Sequence, residues 1–390
     1  MSETVDLLIV GAGPCGSFAA LTASKLGLKV KVYEEHSEPG VPEHCPGHIS
    51  IRGLKNLNLN PPKEIIENEI KGIKLYSPSG LNLTFEDSKP SVYVVNRKLF
   101  DKWLYNQAKS FNVNYVFNSK IKNLSFNKNE LTVKAFSKND ESEARCSFLI
   151  DAEGSSGFLA RKAGLINDRK LVCGVHAIIE GVKDLDEDFA EVYLGRSFSP
   201  NFFAWIIPKG GKEAKVGLAA EKKNPIALLK LFIKKHSLAS KKIGNAKILS
   251  LFPHPIPING PIKKFFHKNF LVAGDSASQV KPTTGGGLIT GFISVKIAVE
   301  AIYEGDKDFG EKYQARWNKT LGLNFFFMRQ ARRLLNSLPD KALDKIFNVA
   351  KKLNIEEAPL MSNLDFQLNL VKPLAKKPFS WKVISFLSSF

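Results

Sequence analysis

The feature that most constrains the fold is a glycine-rich turn near the N-terminus, between an apolar run and a helical segment. The turn reads Gly-Ala-Gly-Pro-Cys-Gly over residues 11–16, and the apolar run VDLLIV directly precedes it. In such a turn the first glycine permits the tight bend, the second lets backbone N–H groups approach a pyrophosphate, and the third lets the helix pack on the strand. The positive end of the helix also favours phosphate. The residues predicted to cradle a dinucleotide are Gly11, Gly13, Pro14, Cys15 and Gly16.

An acidic residue at the end of the next strand pattern supports the same interpretation. Residues 29–34 alternate polar and apolar side chains, and Glu34 closes that run 18 residues after Gly16. A carboxylate at this place can accept hydrogen bonds from the ribose hydroxyls of an adenosine. The two flanking strands and Glu34 make dinucleotide binding far more specific than a lone G-x-G-x-x-G would.

Periodicity along the rest of the chain predicts an α/β protein with a strand-rich middle. Residues 36–62 are loop-like, and a helix pattern covers 97–110. Short strand patterns fill 172–252, with one helix near 225–236. A buried-strand pattern returns at 269–273, and the chain after it is mostly helical.

The first and last strand–glycine–helix segments lie far apart in sequence but are chemically alike, so the strand-rich middle is interpreted as an insertion. The predicted nucleotide-binding domain comprises 1–75, 95–165 and 265–310. The predicted antiparallel-sheet substrate domain comprises 76–94 and 166–264, and 311–390 is predicted to be a helical C-terminal region.

Composition and charge narrow the classes of partner. The net charge is +18, and residues 209–247 and 316–390 are strongly basic. Such an excess favours an anionic partner, although a general lysine-rich composition would give the same number. No zinc-finger spacing or RNA-binding strand accompanies the charge, so nucleic acid is not an expected partner. Four cysteines without a C-x-x-C spacing predict neither a metal site nor a disulfide framework.

A second glycine motif lies far from the first and has a different form. Residues 270–277 read FLVAGDSA, and KPTTGGGL follows at 281–288. These segments resemble the second flavin motif of the FAD-dependent monooxygenase and reductase superfamily. The resemblance implies FAD as cofactor, with a helix N-terminus whose dipole would stabilise the reduced flavin anion. The flavin contacts that it implies are Gly274, Asp275, Gly285, Gly286, Gly287 and Leu288.

Two further segments are similar to the same superfamily. NRKLFD at 96–101 resembles its R-x-x-F-D helix start, which implies that Arg97 lies near the cofactor. DAEGSSGFLAR at 151–161 resembles its A-D-G-x-x-S-x-x-R segment, with Glu153 and Gly157 in place of the usual Asp and Ser. These replacements leave open the direct nicotinamide role often attributed to that segment.

Within this superfamily the chain resembles the geranylgeranyl reductase family. The loop PGVPEHCPGHIS at 39–50 resembles the family's G-x-x-x-x-C-x-G-x-x-S loop, which implies that Cys45 and Gly47 lie at the flavin. The segment PNFFAWIIP at 200–208 resembles the family's P-x-x-Y-x-W-x-F-P strand. The substrate contacts that this implies are Phe203, Trp205 and Pro208.

A rival resemblance uses the same strand. Flavin-dependent halogenases carry W-x-W-x-I-P, and FAWIIP at 203–208 differs from it only at the first tryptophan. A halogenase or monooxygenase of the same superfamily is therefore the alternative function, although the first hundred residues fit the reductases better.

The resemblance implies an FAD-dependent reductase that saturates isolated C=C bonds of geranylgeranyl chains in archaeal membrane-lipid biosynthesis. Because no carbonyl stabilises a carbanion in such a chain, hydride addition needs a proton source across the double bond and a dry channel. Cys45 is the candidate proton donor, and His44 and His48 are the neighbours that could resupply protons.

The implied partners follow from an insoluble substrate and a flavin that must be reduced. They are a lipid with geranylgeranyl chains, an electron donor (a ferredoxin, NADPH or a deazaflavin) and an anionic membrane surface. Residues 376–390 combine lysines with aromatic and aliphatic residues, as in an interfacial anchor or a helix docked on the core. No run is long enough to span a membrane and no signal-peptide pattern opens the chain, so we expect a cytoplasmic protein peripheral to the inner face of the cell membrane.

Overall fold

The computed structural model describes residues 4–127, 130–138, 140–221, 224–357, 361 and 364–369. The strands of this part of the chain are β1 (Val5–Val10), β2 (Val30–Tyr33), β3 (His48–Ser50), β4 (Ile66–Ile70), β5 (Gly72–Tyr76), β6 (Asn82–Glu86), β7 (Val92–Val95), β8 (Asn114–Val116), β9 (Lys120–Phe126), β10 (Leu131–Phe136), β11 (Glu141–Asp151), β12 (Leu171–Glu180), β13 (Phe189–Tyr193), β14 (Ala204–Gly210), β15 (Glu213–Ala220), β16 (Lys247–Pro257), β17 (Phe266–His267) and β18 (Phe270–Val272). Its α-helices are α1 (Pro14–Lys25), α2 (Ile51–Asn56), α3 (Arg97–Lys109), α4 (Phe158–Lys162), α5 (Pro225–Lys235), α6 (Ala239–Ile243), α7 (Leu288–Tyr303), α8 (Phe309–Trp317), α9 (Leu323–Ser337) and α10 (Asp340–Lys352).

The predicted β-α-β unit forms the centre of an eight-stranded sheet. Its main path runs β17-β18-β11-β1-β2-β8, and β10 and β9 extend it from β11. β1 pairs in parallel with both β2 and β11, so that Leu8 lies between Lys31 and Leu149. Leu7, Leu8 and Ile9 are all fully buried, as expected for a parallel strand covered on both faces. The carboxyl ends of β1, β11 and β18 therefore meet at one edge, where ligands bind in open α/β sheets.

A second sheet of seven strands has the order β16-β12-β15-β14-β13-β5-β6. Its pairs are antiparallel, except that β13 runs parallel to β5. One face packs against α5, where Phe232 contacts a cluster that includes Ile206 and Leu218. Trp205 and Ile207 belong to a separate cluster on the other face. The alternation of side chains along β14 thus leaves an aromatic and aliphatic face for the rest of the molecule.

The region 36–62 is not wholly a loop. It contains β3, which joins β7 and β4 in a three-stranded sheet, and the short helix α2. Ser50 caps α2 because its hydroxyl accepts a hydrogen bond from the Gly53 N–H at 3.0 Å. Ile49 and Leu54 are buried. A strand of three residues leaves too short a pattern to recognise in sequence, so this element depends on its pairing with β7.

The C-terminal part of the described chain is helical, as predicted. A five-residue π-helix, Asn318–Gly322, joins α8 to α9. Of the residues described, no helix is both long enough and apolar enough to cross a membrane. The segment 376–390 lies outside the described residues, so its predicted role stays a prediction.

The α/β fold class is confirmed: a Rossmann-like sheet, antiparallel sheets and a helical C-terminal region are all present. The division into domains stays a prediction. β5, at the predicted boundary after residue 75, lies in the seven-stranded sheet.

Candidate active site

A cavity of about 640 Å³ brings most of the predicted site residues together. Its walls come from the turn after β1, the loop before β3, β14, β16 and the loop before α7. The predicted residues that line it are Gly11, Gly13, Pro14, Cys15, Glu34, His44, Cys45, His48, Arg97, Phe203, Trp205, Asp275, Gly285, Gly286, Gly287 and Leu288. Four predicted residues are not part of the lining, namely Gly16, Gly47, Pro208 and Gly274.

The three glycines of the first turn are needed for different reasons. Gly11 has φ +99°, and a Cβ there would lie 2.5 Å from the Ala152 carbonyl oxygen. A Cβ on Gly16 would lie 1.9 Å from the Gly11 carbonyl oxygen, so Gly16 permits the contact between helix and strand. A Cβ on Gly13 would meet no atom of the described chain within 4 Å. The protein itself therefore does not require a glycine at position 13, whereas a phosphate at the start of α1 would.

Glu34 lines the same end of the cavity as an ionised carboxylate. Its Oε2 accepts a hydrogen bond from the Ala12 N–H at 2.6 Å, and its Oε1 accepts one from the His36 N–H at 2.9 Å. Burial alone would raise the pKa of Glu34, but the hydrogen bonds from His36 and Ala12 lower it below its usual value. The carboxylate thus fixes the turn, and its oxygens could also accept hydrogen bonds from the hydroxyls of a ribose.

Cys15 lines the cavity but is held as a packing group. A Cβ on Gly274 would lie 3.1 Å from its sulfur, and one on Gly291 only 2.5 Å. Burial, and next the charge of Asp275, raise the pKa of the Cys15 thiol well above its usual value. Cys15 is therefore a neutral thiol packed between α1 and the first turn of α7, where Gly274 and Gly291 leave room for its sulfur.

Cys45 lies beside a buried arginine. Arg97 begins α3, and its guanidinium binds both oxygens of Asp101, with Nη2–O distances of 3.0 and 3.1 Å. The Cys45 side chain lies within interaction distance of the same guanidinium. Burial disfavours the charged guanidinium, but Asp101 and Cys45 outweigh this and raise the pKa of Arg97. A permanent positive charge therefore lies next to the Cys45 sulfur, anchored by Asp101, which we had not predicted as a site residue.

Burial keeps two stacked histidines of the cavity wall, and a third histidine on β12, neutral at physiological pH. His44 stacks on His254 with ring centroids 4.6 Å apart. Burial is the main cause that lowers the pKa of each of these histidines to about 4. His176 on β12 is also buried, which lowers its pKa to about 3. His254 was not predicted, because it lies in a strand far along the chain and only the tertiary structure brings it to His44 in the loop of Cys45.

Two buried polar atoms of the lining have no hydrogen-bond partner within the described part of the chain. They are Nε2 of His48 and Nε1 of Trp205. Burial lowers the pKa of His48 to about 4, so its ring is a neutral donor or acceptor. An unpartnered polar atom in a cavity wall is satisfied by a bound molecule or by water.

The strand β14 supplies an apolar wall. Phe203, Trp205 and Ile207 line the cavity, and Phe202 stacks on Phe203 with ring centroids 4.5 Å apart. Pro208 is directed to the opposite face, because successive residues of a strand alternate between faces. This alternation is the reason that Pro208 is absent from the lining.

The glycine loop before α7 is held by residues from much later in the chain. The Lys281 ammonium pairs with Asp365 at 2.8 Å, and the Thr283 hydroxyl donates to the Gln367 amide oxygen at 2.7 Å. Leu364 and Asp365 line the cavity. The sequence contained no pattern that would place this C-terminal segment at the site.

Asp275 lies under the same loop. Burial raises its pKa, while the charges of Arg169 and Arg97 oppose that increase. A Cβ on Gly287 would lie 2.9 Å from its Oδ1, so the close contact of loop and carboxyl requires glycine there. Together with the open space at Gly13 and the unpartnered His48 Nε2, these residues fit a flavin nucleotide.

Comparison with known proteins gives consistent results. The profile of the geranylgeranyl reductase catalytic domain matches residues 172–251, and that of the NAD(P)-binding Rossmann-like domain matches 9–44. Digeranylgeranylglycerophospholipid reductase 2 of Methanopyrus kandleri is 30% identical over 357 residues, which cover 87% of this chain and 89% of the relative.

Two solved structures show the same fold. A geranylgeranyl bacteriochlorophyll reductase-like protein from Thermoplasma acidophilum has a TM-score of 0.85 at 25% identity, covering 96% of this chain and 99% of that one. A flavin-dependent brominase has a TM-score of 0.74 at 18% identity, covering 93% and 94%. The brominase shows the fold alone, whereas the curated relative shares sequence over nearly its whole length. This chain belongs to the geranylgeranyl reductase family of flavin-dependent oxidoreductases.

Proposed function

We propose that this protein is an FAD-dependent reductase that saturates the isolated C=C bonds of geranylgeranyl chains in archaeal lipids. The observation that carries the proposal is the single cavity that joins the dinucleotide cradle, the Cys45–Arg97 pair and the apolar wall of β14. The substrate follows from the chain's family and from the curated relative, which is named for reduction of a digeranylgeranyl glycerophospholipid.

The cofactor would be held at both glycine motifs. The turn 11–15 and Glu34 would bind the adenosine and pyrophosphate end, and the loop 285–288 with Asp275 would bind the flavin end. FAD bound there supplies the hydride for the reduction. The apolar wall of Phe203, Trp205 and Ile207 excludes water from the chain that is to be reduced.

Cys45 is the proposed proton donor. In the reduction a C–H bond forms at one alkene carbon as the Cys45 S–H bond breaks, and the electron pair stays on sulfur. The negative charge left on sulfur lies beside the Arg97 guanidinium, which stabilises it. His44 adjoins Cys45 in the chain, and its neutral ring can pass a proton from water back to the sulfur.

The proposal also includes two partners, an electron donor that reduces the flavin and a membrane surface that holds the lipid substrate. The net charge of +18 favours an acidic donor protein such as a ferredoxin over NADPH or a deazaflavin. A lipid substrate has to be met at the membrane surface, where a basic protein is attracted to anionic headgroups.

The test is reduction of an unsaturated archaeal-type lipid. Purified protein should be yellow and release FAD on denaturation. After chemical reduction and incubation with digeranylgeranyl glycerophospholipid, mass spectrometry should show the addition of two hydrogens per double bond. Heat-denatured protein serves as the control. Unchanged lipid would contradict the proposal, and halide incorporation in the presence of oxygen and bromide would favour the halogenase alternative.

A further inference from the structure

The helix α9 exposes apolar side chains along its outer face. Leu323, Phe326 and Leu334 are 66%, 53% and 38% exposed. With Gln330 between them, they follow a spacing of three, four and four residues, which places them on one side of the helix. We call these three residues the apolar stripe. Most soluble proteins scatter such residues singly, so a row of them on one helix indicates a docking surface.

The surroundings of the apolar stripe are basic. Residues 318–337 contain Lys319, Arg329, Arg332 and Arg333 and no aspartate or glutamate. Lys319 and Arg333 are exposed, whereas Arg332 is buried. An apolar face bordered by cations is the pattern of a helix that lies in the interface of an anionic bilayer.

The opposite face of α9 supports the cavity. The Arg332 guanidinium donates to the Pro282 carbonyl at 2.9 Å and also to the Thr283 carbonyl. The Asn324 amide donates to the Asp365 carbonyl at 2.9 Å. One helix therefore carries the apolar stripe outside and holds two segments of the cavity wall inside.

We infer that α9 docks the protein on an anionic lipid bilayer, with the apolar stripe in the interfacial region and Lys319 and Arg333 at the headgroups. The inference rests on the proposed function, because that function requires a lipid substrate to reach the cavity. A bilayer fits better than a protein partner, since one narrow helix face offers only part of the roughly 1,200 Å² that a specific protein interface buries. On a membrane, the attraction of cations to anionic headgroups adds to the binding free energy of shallow apolar insertion, so a narrow helix face is enough for binding.

The inference is tested by vesicle flotation with the full chain. Vesicles of phosphatidylcholine with phosphatidylglycerol are compared with vesicles of phosphatidylcholine alone. We expect the double variant Leu323→Ser/Phe326→Ser to lower the partition coefficient on anionic vesicles about tenfold. Arg333→Glu should weaken binding and reduce its dependence on salt. Phe111→Ser, which changes an aromatic residue of 45% exposure in the turn after α3, is the matched control and should bind as wild type.

Reduction of a soluble alkene and flotation with vesicles together separate this inference from the proposed function. All variants should keep their FAD content, their melting temperature and their rate on a short soluble alkene, because the apolar stripe does not line the cavity. Wild-type protein that floats with vesicles but saturates no alkene would defeat the proposed function alone. Double-variant protein that reduces the soluble alkene and still floats like wild type would overturn the docking surface.

An environment-sensitive dye on a Phe326→Cys variant identifies the occupant of the apolar stripe. We expect its emission to shift to the blue only when anionic vesicles are added. A blue-shifted emission without vesicles that disappears when 370–390 are removed would mean that the chain covers its own α9. A blue-shifted emission that depends on protein concentration would mean that a second copy of the chain covers α9. Either result would overturn the inference.

Discussion

At the residue scale, the glycine turn separates what the fold requires from what a ligand requires. Gly11 and Gly16 are in contact with the backbone around them, while Gly13 faces open space. The same motif therefore contains two structural glycines and one that only a bound phosphate would explain.

Gly13→Val should abolish FAD binding and leave the apoprotein folded, because the side chain would fill the pyrophosphate position without meeting the protein. Gly16→Ala should instead destabilise the protein, since its Cβ would lie 1.9 Å from a carbonyl oxygen. Flavin absorbance and thermal melting of the two variants measure these effects. A Gly13→Val protein with full flavin content would show that this turn does not bind the cofactor.

The second residue-scale feature is the Cys45–Arg97 pair. Cys45→Ala should retain FAD and accept electrons at nearly the wild-type rate but slow alkene reduction by about 100-fold or more, because general acid catalysis contributes about that much. Stopped-flow kinetics of the two half-reactions would separate these rates. Cys45→Ser serves as the conservative comparison. Wild-type rates in both half-reactions would make Cys45 a packing residue.

At the element scale, a buried lysine joins the seven-stranded sheet to the three-stranded sheet. Lys215 on β15 is fully buried, and its ammonium pairs with Glu67 of β4 at 2.6 Å and donates to the Val95 carbonyl of β7 at 2.8 Å. The carboxylate of Glu43, two residues before Cys45, lies 3.9 Å from it. The charge of Lys215 thus holds together the elements that position the loop of Cys45.

Lys215→Met should lower the free energy of unfolding by about 3–5 kcal/mol, because it removes the buried partner of the Glu67 carboxylate and leaves it only the more distant Lys209 ammonium at 3.7 Å. Adding Glu67→Gln should recover much of that loss. Lys74→Met is the matched control on the same sheet, since the Lys74–Asp186 pair is solvent-accessible and should contribute less than about 1 kcal/mol. Urea denaturation measures all three, and equal losses for Lys215→Met and Lys74→Met would refute the argument.

At the scale of the whole molecule, the buried histidines predict how stability depends on pH. Burial lowers the pKa of His48 and His254 to about 4 and that of His176 to about 3. An unfolded histidine has a pKa near 6.5, so between about pH 6.5 and 4 the unfolded chain binds more protons than the folded one. The contribution of these histidines to stability therefore falls as the pH falls through this window, whereas the buried carboxyls of Asp151 and Asp275, whose pKa values burial raises, change stability in the opposite direction.

Acidification from pH 7 to pH 5 should lower the free energy of unfolding by about 2 kcal/mol for His176 alone, at about 1.4 kcal/mol per pH unit below 6.5. His176→Gln should reduce this pH dependence. Denaturation curves at both pH values provide the measurement. A His176→Gln protein whose stability changes with pH as much as that of the wild type would contradict the argument, because His176 would then contribute nothing to the pH dependence.

The sequence by itself determined the β-α-β unit, the second glycine motif and the family. These features are encoded by local patterns: a strand of buried apolar residues, glycines at fixed spacing and an acidic residue after the next strand. Their physical basis is the short-range geometry of turn, helix and strand, which does not depend on residues elsewhere in the chain.

Only the tertiary structure decided which distant residues complete the site. His254 reaches His44, Lys215 reaches Glu67 and Asp365 reaches Lys281 across 84 to 210 positions of sequence. The tertiary structure also directs Pro208 away from the cavity that Trp205 and Ile207 line. Pairing and register between strands are fixed by burial of whole sheet faces, and no local pattern carries that information.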